Sequence, residues 1–326
     1  MAQSLFCTLK QRHPGLQIDV LAPAWSRALV TRMPEVGKSL DLPLGHGEFG
    51  LAKRYKLSRS LRNEGYDWSI VLPNSFKSAL IPLWAGIPRR TGYLGELRLG
   101  VLNDVRRLEK ERLPMTVQRF VALGLPADSF LPEPLPAPRL SVVPALVANT
   151  LERLRLERPK VLLALCPGAE FGPAKRWPTE HFAAIARQKQ REGWQVWVFG
   201  SERDREIGRA VCESAGNGCV NLAGRTSLAE AVDLLSLATL VITNDSGLMH
   251  VASALDRPLI ALYGSSDPGF TPPLNHNARI AYLGLACSPC FNRNCPLGHL
   301  RCLRELTPER VLALMDEVLE ARAGGC

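Results

Sequence analysis

TLVITNDSGLMHVASALDRPLIALYGSS (239–266) decides the fold. The apolar run TLVITN (239–244) is short and rich in β-branched residues, so it reads as a buried strand. SGLMHVASALD (246–256) follows with helical spacing, and PLIALYGSS (258–266) is a second strand. A strand, a helix and a strand in about thirty residues form a βαβ unit with parallel strands.

The same rhythm extends upstream. KVLLALCP (160–167), WQVWVFGS (194–201) and CVNLAG (219–224) read as strands. They alternate with the helices PTEHFAAIARQKQREG (178–193), RDREIGRAVCESAG (203–216) and SLAEAVDLLSLA (227–238). Such alternation means a parallel sheet covered on both faces. The first half repeats the theme less clearly. LQIDVLAP (16–23) and YDWSIVLPN (66–74) read as strands, each followed by a helical pattern, and SLFCTLKQRHP (4–14) is an opening helix. The proline-rich LPEPLPAPRLSVVP (131–144) reads as a linker. The expected fold class is α/β: two doubly wound domains, 1–145 and 146–326, facing each other across a cleft. In such sheets ligands bind beyond the carboxyl ends of the strands.

Composition narrows the function classes. With 326 residues, 46% hydrophobic and 22% charged, the chain is globular and long enough for two cores. No apolar run reaches the ~18 residues of a membrane span. SALIPLWAGIP (78–88) is short and holds two prolines, and the N-terminus lacks a signal-peptide pattern, so the expected location is the cytoplasm. A net charge of +9 points to an anionic partner. No helix-turn-helix, RNA-binding or zinc-finger pattern supports nucleic acid in that role.

The turn after TLVITN carries an acid, a hydroxyl and a histidine: Asp245, Ser246 and His250. A hydrolase would show G-x-S-x-G with a distant acid and base, which this segment does not. Unpaired amides at the start of the following helix favour an anion or sugar site instead, with simple helix capping as the plainer alternative. CPGAEFGPAKRWPTEHF (166–182) places Lys175 and Arg176 on a glycine-bearing loop between strand and helix, where Lys175 can neutralise a departing phosphate or simply be solvated. FGSERDRE (199–206) offers Ser201 and Glu202 to a ribose or base edge; an ordinary capping box is the alternative.

PGAEFGPAKRWP, VFGSERD, NLAGRTSL, TNDSGLMHVASAL and LYGSSDPGFTPPL stand in the order found in the lipopolysaccharide heptosyltransferases of glycosyltransferase family 9, which the chain resembles over nearly its whole length. APAWSRALVTRMPEV (22–36), PLGHGEFGL (43–51) and LPNSFKSALIPLWAGIPRRTGY (72–93) look like the heptosyltransferase II branch of that family. The resemblance implies a GT-B fold of two Rossmann-like domains. It also implies inverting transfer of L-glycero-D-manno-heptose from ADP-L-glycero-D-manno-heptose to the first heptose of the inner core, with heptosyl-Kdo2-lipid A as acceptor. No cofactor and no catalytic metal are implied. By match of position, Lys175 corresponds to the lysine near the diphosphate and Asp245 to the aspartate that contacts the heptose. Ser246 and Gly247 correspond to the phosphate-binding turn, with His250 beside it, Thr226 near the adenosine and Glu202 near the ribose. In the first domain Asn74, Ser75 and Lys77 face the acceptor, and Arg89 and Arg90 meet its phosphates or carboxylates. A lipid acceptor implies peripheral contact at the cytoplasmic face of the inner membrane.

One departure stands out. Family members open with a strand and a glycine-bearing loop whose aspartate is the general base, and here Met1 lies where their first helix begins. The first acid is Asp19. The expectation is therefore a first domain lacking its first strand, explained by a start codon placed too far downstream. A chain truncated in this way is expected to bind ADP-heptose weakly and lose the ~10²–10⁴-fold of base assistance. A GT-B nucleotide-sugar epimerase is the rival enzyme reading.

Nine cysteines without a secretory signal argue for reduced thiols or a metal site. Four of them, Cys287, Cys290, Cys295 and Cys302, crowd into CSPCFNRNCPLGHLRC (287–302) together with His299. The CxxC half-site admits a structural metal, while the remaining spacings favour free thiols or local packing.

Overall fold

The computed structural model describes residues 1–45 and 47–323. His46, in the PLGHGEFGL stretch, lies outside the described residues. The chain divides into two compact units, Met1–Pro136 and Ala137–Cys326. The division falls inside the proline-rich stretch, nine residues before the expected boundary at 145. The amide of Leu140 donates to the Ala254 carbonyl at 2.9 Å, which ties the end of that stretch to the second unit.

In the first unit β1 (Val20–Pro23) pairs in parallel with β2 (Ser39–Leu42). A separate parallel sheet holds β3 (Trp68–Val71), β4 (Arg89–Tyr93) and β5 (Asp104–Arg106) in that order. The opening helix Ala2–Arg12 buries Leu5, Phe6 and Leu9 against side chains from both sheets, among them Val20 and Ile70. On the other side Leu61, Ile81 and Ile87 form a core with Leu21 and Leu40. Residues 16–19 of the expected first strand are not in the sheet, and β2, β4 and β5 were not anticipated.

The second unit carries a six-stranded parallel sheet of β6 (Leu162–Cys166), β7 (Gln195–Val198), β8 (Cys219–Asn221), β9 (Leu240–Asn244), β10 (Leu259–Leu262) and β11 (Ala278–Ala281). Its order is β11-β10-β9-β6-β7-β8. Counted within the unit this is the 3-2-1-4-5-6 order of dinucleotide-binding folds, with the order reversing between β6 and β9. Those two central strands are buried at every residue, as their unbroken apolar runs require. Helices cover both faces, and Leu165, Phe182, Val198, Ile242 and Met315 belong to one contiguous core. Each such side chain contributes about 1.5–3 kcal/mol by leaving water. Among the described residues no helix is long and apolar enough to cross a membrane.

Candidate active site at the reversal of the second sheet

The strand order places the crevice where β6 and β9 end. Two loops leave those ends in opposite directions and Asn244, the last residue of β9, joins them. Its Oδ1 accepts the Trp177 amide at 3.1 Å, and its Nδ2 donates to the Pro167 carbonyl at 2.7 Å. Asn244 is fully buried, so each of these bonds replaces one that water would otherwise make. Sequence reasoning offered Asn244 only helix capping at this turn and missed this clamp. Its only signal was an amide side chain at the end of an apolar strand.

Lys175 and Asp245 are brought together. Lys175 Nζ lies 2.5 Å from Asp245 Oδ2, with the Asp245 side chain 5% exposed and that of Lys175 17% exposed. The lysine is approached from beneath by the Phe171 ring, whose centroid is 5.0 Å from Nζ. The loop that carries it is braced from outside. The Ala174 amide donates to the Arg293 carbonyl at 3.0 Å, and Arg293 Nε donates to the Phe171 carbonyl at 2.6 Å. Gly172 sits at φ +155, and a Cβ there would stand 2.5 Å from the Arg293 carbonyl oxygen. A side chain is excluded by contact as well as by conformation.

Ser246 precedes the helix Gly247–Ala254 in an extended conformation, and its side chain makes no capping bond. Space around Gly247 is open. The first amides of this helix therefore point outward without a side-chain cap, next to Asp245. Neither Asn244 nor Asp245 caps the helix, so the plainer capping reading does not hold there. Met249, one turn into the helix, is fully buried, while His250 lies at its side. Burial pushes the His250 imidazole down to about 4, with Asp245 pulling it up and Lys175 pushing it down, so the ring is neutral near pH 7.

After β10 the turn holds Ser265 and Ser266, 1% and 4% exposed, whose hydroxyls have no hydrogen-bond partner among the described residues. Sequence reading placed both in the strand 258–266 and gave them no role, whereas β10 ends at Leu262.

The remaining candidates are distributed more widely. The polar groups of Ser201 serve the chain itself: its amide and Oγ both donate to Asp204 Oδ2, at 2.9 and 2.7 Å. This is the capping alternative. Glu202 pairs with Arg205 at 2.7 Å and presses on Gly224, close to half-buried Thr226. In the first unit Asn74, Ser75 and Lys77 follow β3 at its carboxyl end. Lys77 Nζ donates to the Gly47 carbonyl at 2.9 Å, Ser75 Oγ lies 2.6 Å from Ser78 Oγ, and Asn74 Oδ1 accepts from buried Arg98 at 3.3 Å. Arg89 and Arg90 are not grouped with them. They open β4 at its amino end, opposite Trp68 and Ser69. Arg89 pairs with Asp104 at 3.0 Å and covers the Trp68 ring, and Arg90 donates to the Val101 and Ile87 carbonyls at 2.8 and 2.6 Å. Their charges are engaged in holding the sheet, while the Arg89 side chain stays 48% exposed.

Cys287, Cys290, Cys295 and Cys302 are free thiols that line, with Ser265, a cavity of about 20 Å³. Backbone amides from Leu297 to Leu300 donate to the Cys295 sulfur and favour its thiolate. Among the described residues no group of three or more His, Cys, Asp or Glu is gathered closely enough to hold a metal ion. The loop instead packs: the Phe291 amide donates to the Ser265 carbonyl at 2.7 Å.

Comparison with known proteins gives this geometry a context. The family model described as glycosyltransferase family 9 (heptosyltransferase) matches residues 54–301. Lipopolysaccharide heptosyltransferase 2 of Escherichia coli strain K12 is 47% identical over 98% of this chain and 94% of its own length. Lipooligosaccharide heptosyltransferase 2 of Haemophilus influenzae is 46% identical over 98% of this chain and 95% of its own. The solved structure of E. coli ADP-heptose lps heptosyltransferase II superposes with a TM-score of 0.87 at 45% identity, covering 99% of this chain and 95% of that one. The parallel α/β architecture is thus that of the GT-B heptosyltransferases, and the chain belongs to glycosyltransferase family 9, the heptosyltransferases.

Proposed function

We propose that this heptosyltransferase moves L-glycero-D-manno-heptose from ADP-heptose onto the first heptose of the lipopolysaccharide inner core, with inversion at the anomeric carbon. The observation that carries the reading is the buried Lys175–Asp245 pair at the reversal of the second sheet. In it a cation and a carboxylate share one corner, one suited to a diphosphate and the other to sugar hydroxyls.

The roles follow from charge. As the acceptor hydroxyl attacks the anomeric carbon, the bond to the diphosphate oxygen breaks and negative charge grows on ADP. Lys175 lies where it can neutralise that charge, and the uncapped amides at Ser246 and Gly247 add the positive end of a helix. Asp245 accepts hydrogen bonds from the heptose and holds Lys175 in place. Neutral His250 lines the same corner without adding charge. Glu202 and Thr226 lie toward the adenosine, with Ser201 ordering the turn between them. Asn74, Ser75 and Lys77 form part of the acceptor side in the first unit. The work is done at the cytoplasmic face of the inner membrane, against a heptosyl-Kdo2-lipid A acceptor.

The test incubates purified protein with ADP-heptose and heptosyl-Kdo2-lipid A and reads ADP release together with acceptor mass. One added heptose is expected, and none on an acceptor lacking the first heptose. Conversion of ADP-heptose without any acceptor would instead mark an epimerase and defeat the proposal.

A further inference from the structure

The helix Arg205–Ala215 lies against the edge strand β8 with a register that places two thiols together. Arg205, Gly208 and Cys212 fall on one stripe of the helix, at i, i+3 and i+7. Cys219 and Asn221 point to one face of the strand. The first part of the match is seen at Asn221, whose Nδ2 donates to the Arg205 carbonyl at 3.0 Å. A Cβ on Gly208 would stand 2.4 Å from Asn221 Oδ1, so only glycine lets the helix settle this low. One turn further along the helix and two residues back along the strand, Cys212 meets Cys219. Both thiols open onto one pocket and pack on the edge of the same core. Both cysteines are half-buried and free.

The pair is open to a reagent. Cys212 and Cys219 line a pocket of about 450 Å³ with Arg205, Arg209 and Arg225 around its rim. Arg209 is shared with Glu206 and Glu213 and Arg205 with Glu202, which leaves Arg225 as the rim cation outside these ion pairs. The pocket thus suits a thiol compound of low molecular weight with a carboxylate for Arg225 to meet. The nearby Cys219 thiol favours the Cys212 thiolate, and burial beside Cys212 disfavours a thiolate at Cys219. One sulfur is set to attack and the other to follow.

We propose that Cys212 and Cys219 form a modification site for anionic disulfides such as glutathione disulfide, closing to an intramolecular disulfide between helix and strand. The Cys212 thiolate attacks one sulfur of glutathione disulfide, the S–S bond breaks, and one glutathione thiolate leaves. The Cys219 thiol then gives its proton to water, and its sulfur attacks Cys212 Sγ and expels the second glutathione. Two protein thiols are oxidised and one disulfide is reduced to two thiols. The six residues 213–218 become the closed loop. The turn before this helix holds Ser201 and Glu202 and the turn after β8 leads to Thr226, so the cross-link stiffens both segments that flank it.

The full chain is equilibrated with glutathione disulfide, unreacted thiols are alkylated, and peptides are mapped by mass. Wild type is expected to yield a Cys212–Cys219 cross-linked peptide lacking two hydrogens, reversed by dithiothreitol, with a melting temperature raised by a few degrees. Cys219→Ser is expected to trap glutathione on Cys212, and Cys212→Ser to leave Cys219 unmodified under the same conditions. Circular dichroism verifies that both variants are folded. Mapping resolves this pair from the cysteines of residues 287–302. The proposal is overturned if both cysteines of folded wild type are recovered alkylated, or if glutathione in Cys219→Ser is found only on other cysteines.

Discussion

Lys175 Nζ and Asp245 Oδ2 stand 2.5 Å apart although seventy positions separate them in the chain, and the two side chains are almost wholly withdrawn from solvent. Removing one partner leaves the other buried and uncompensated, which costs roughly 3 kcal/mol or more. Lys175→Met should therefore lower stability by about that amount, and Lys175→Met with Asp245→Asn should recover most of it. Activity should behave differently. Lys175→Met should lower kcat by about 10²–10³-fold, the range for a group that meets developing charge. The double variant should remain as slow as the single one. If recovery of stability restored turnover, the pair would be a structural bridge and no more.

His250 links the site to pH. Its imidazole is held down to about 4 from an ordinary 6.5, chiefly by burial. The unfolded chain then binds a proton that the folded chain refuses. Above pH 6.5 neither state is protonated and nothing is lost. Stability should fall as pH drops from 6.5 toward 4, by up to about 3 kcal/mol for this group alone. His250→Asn should flatten that part of the profile. Urea unfolding of both proteins between pH 7 and pH 4.5 measures the difference, and parallel profiles would show that His250 is solvated.

Asn244 holds two loops through one amide. Asn244→Ala leaves the buried Trp177 amide and the Pro167 carbonyl without partners. Each loss costs about 1–3 kcal/mol when the group stays dry, so a total near 2–4 kcal/mol is expected. Trp177 is anchored separately, its Nε1 donating to the Leu306 carbonyl at 2.7 Å, so the fold should survive while the loop bearing Lys175 loosens. The donor KM should rise along with the loss of stability. A variant as stable as wild type in chemical denaturation would mean that water replaces the amide.

Five of the six strands of the second unit were legible because each carries a short apolar run; β11, ARIA at the sheet edge, was not read. β9 and β6 are buried throughout, and only Thr243 and Asn244 at the end of β9 interrupt their apolar runs. β4 shows why the first unit was not. RRTGY opens on two arginines, and it becomes a strand only through distant partners. Arg89 pairs with Asp104, and Thr91 Oγ1 accepts from Trp68 Nε1 at 2.7 Å. Gly92 leaves room where a Cβ would stand 2.9 Å from Leu102. None of this is written in local periodicity. At the site, placement after β6 and β9 was readable, whereas the pairing of Lys175 with Asp245 was not. It depends on which strands are neighbours, and the sheet reverses its order at that point. Likewise the engagement of Arg89 with Asp104 and of Arg90 with main-chain carbonyls was not readable, because sequence shows charge but not its partners.

Gly172 offers a sharper test of how the Lys175 loop is held. Its Cβ, if present, would meet the Arg293 carbonyl at 2.5 Å, and that carbonyl also accepts the Ala174 amide. Gly172→Ala must either push Arg293 away or shift the loop, because the backbone there is rarely adopted by residues with side chains. The strain should be on the order of 1–3 kcal/mol and should be relieved at the loop, since Arg293 is exposed and its segment is tied down by Phe291. Lys175 then moves relative to Asp245. A displacement of about 1 Å can cost near 10²-fold in rate, so kcat/KM for ADP-heptose should fall much more than stability does. Arg293→Ala removes the bond from Nε to Phe171 but keeps the carbonyl, and should therefore be milder, within roughly tenfold of wild type. Steady-state kinetics of the two variants, with melting temperatures alongside, check the ordering. If Arg293→Ala proved the more damaging, the guanidinium would be holding the loop and the close backbone approach at Gly172 would be incidental.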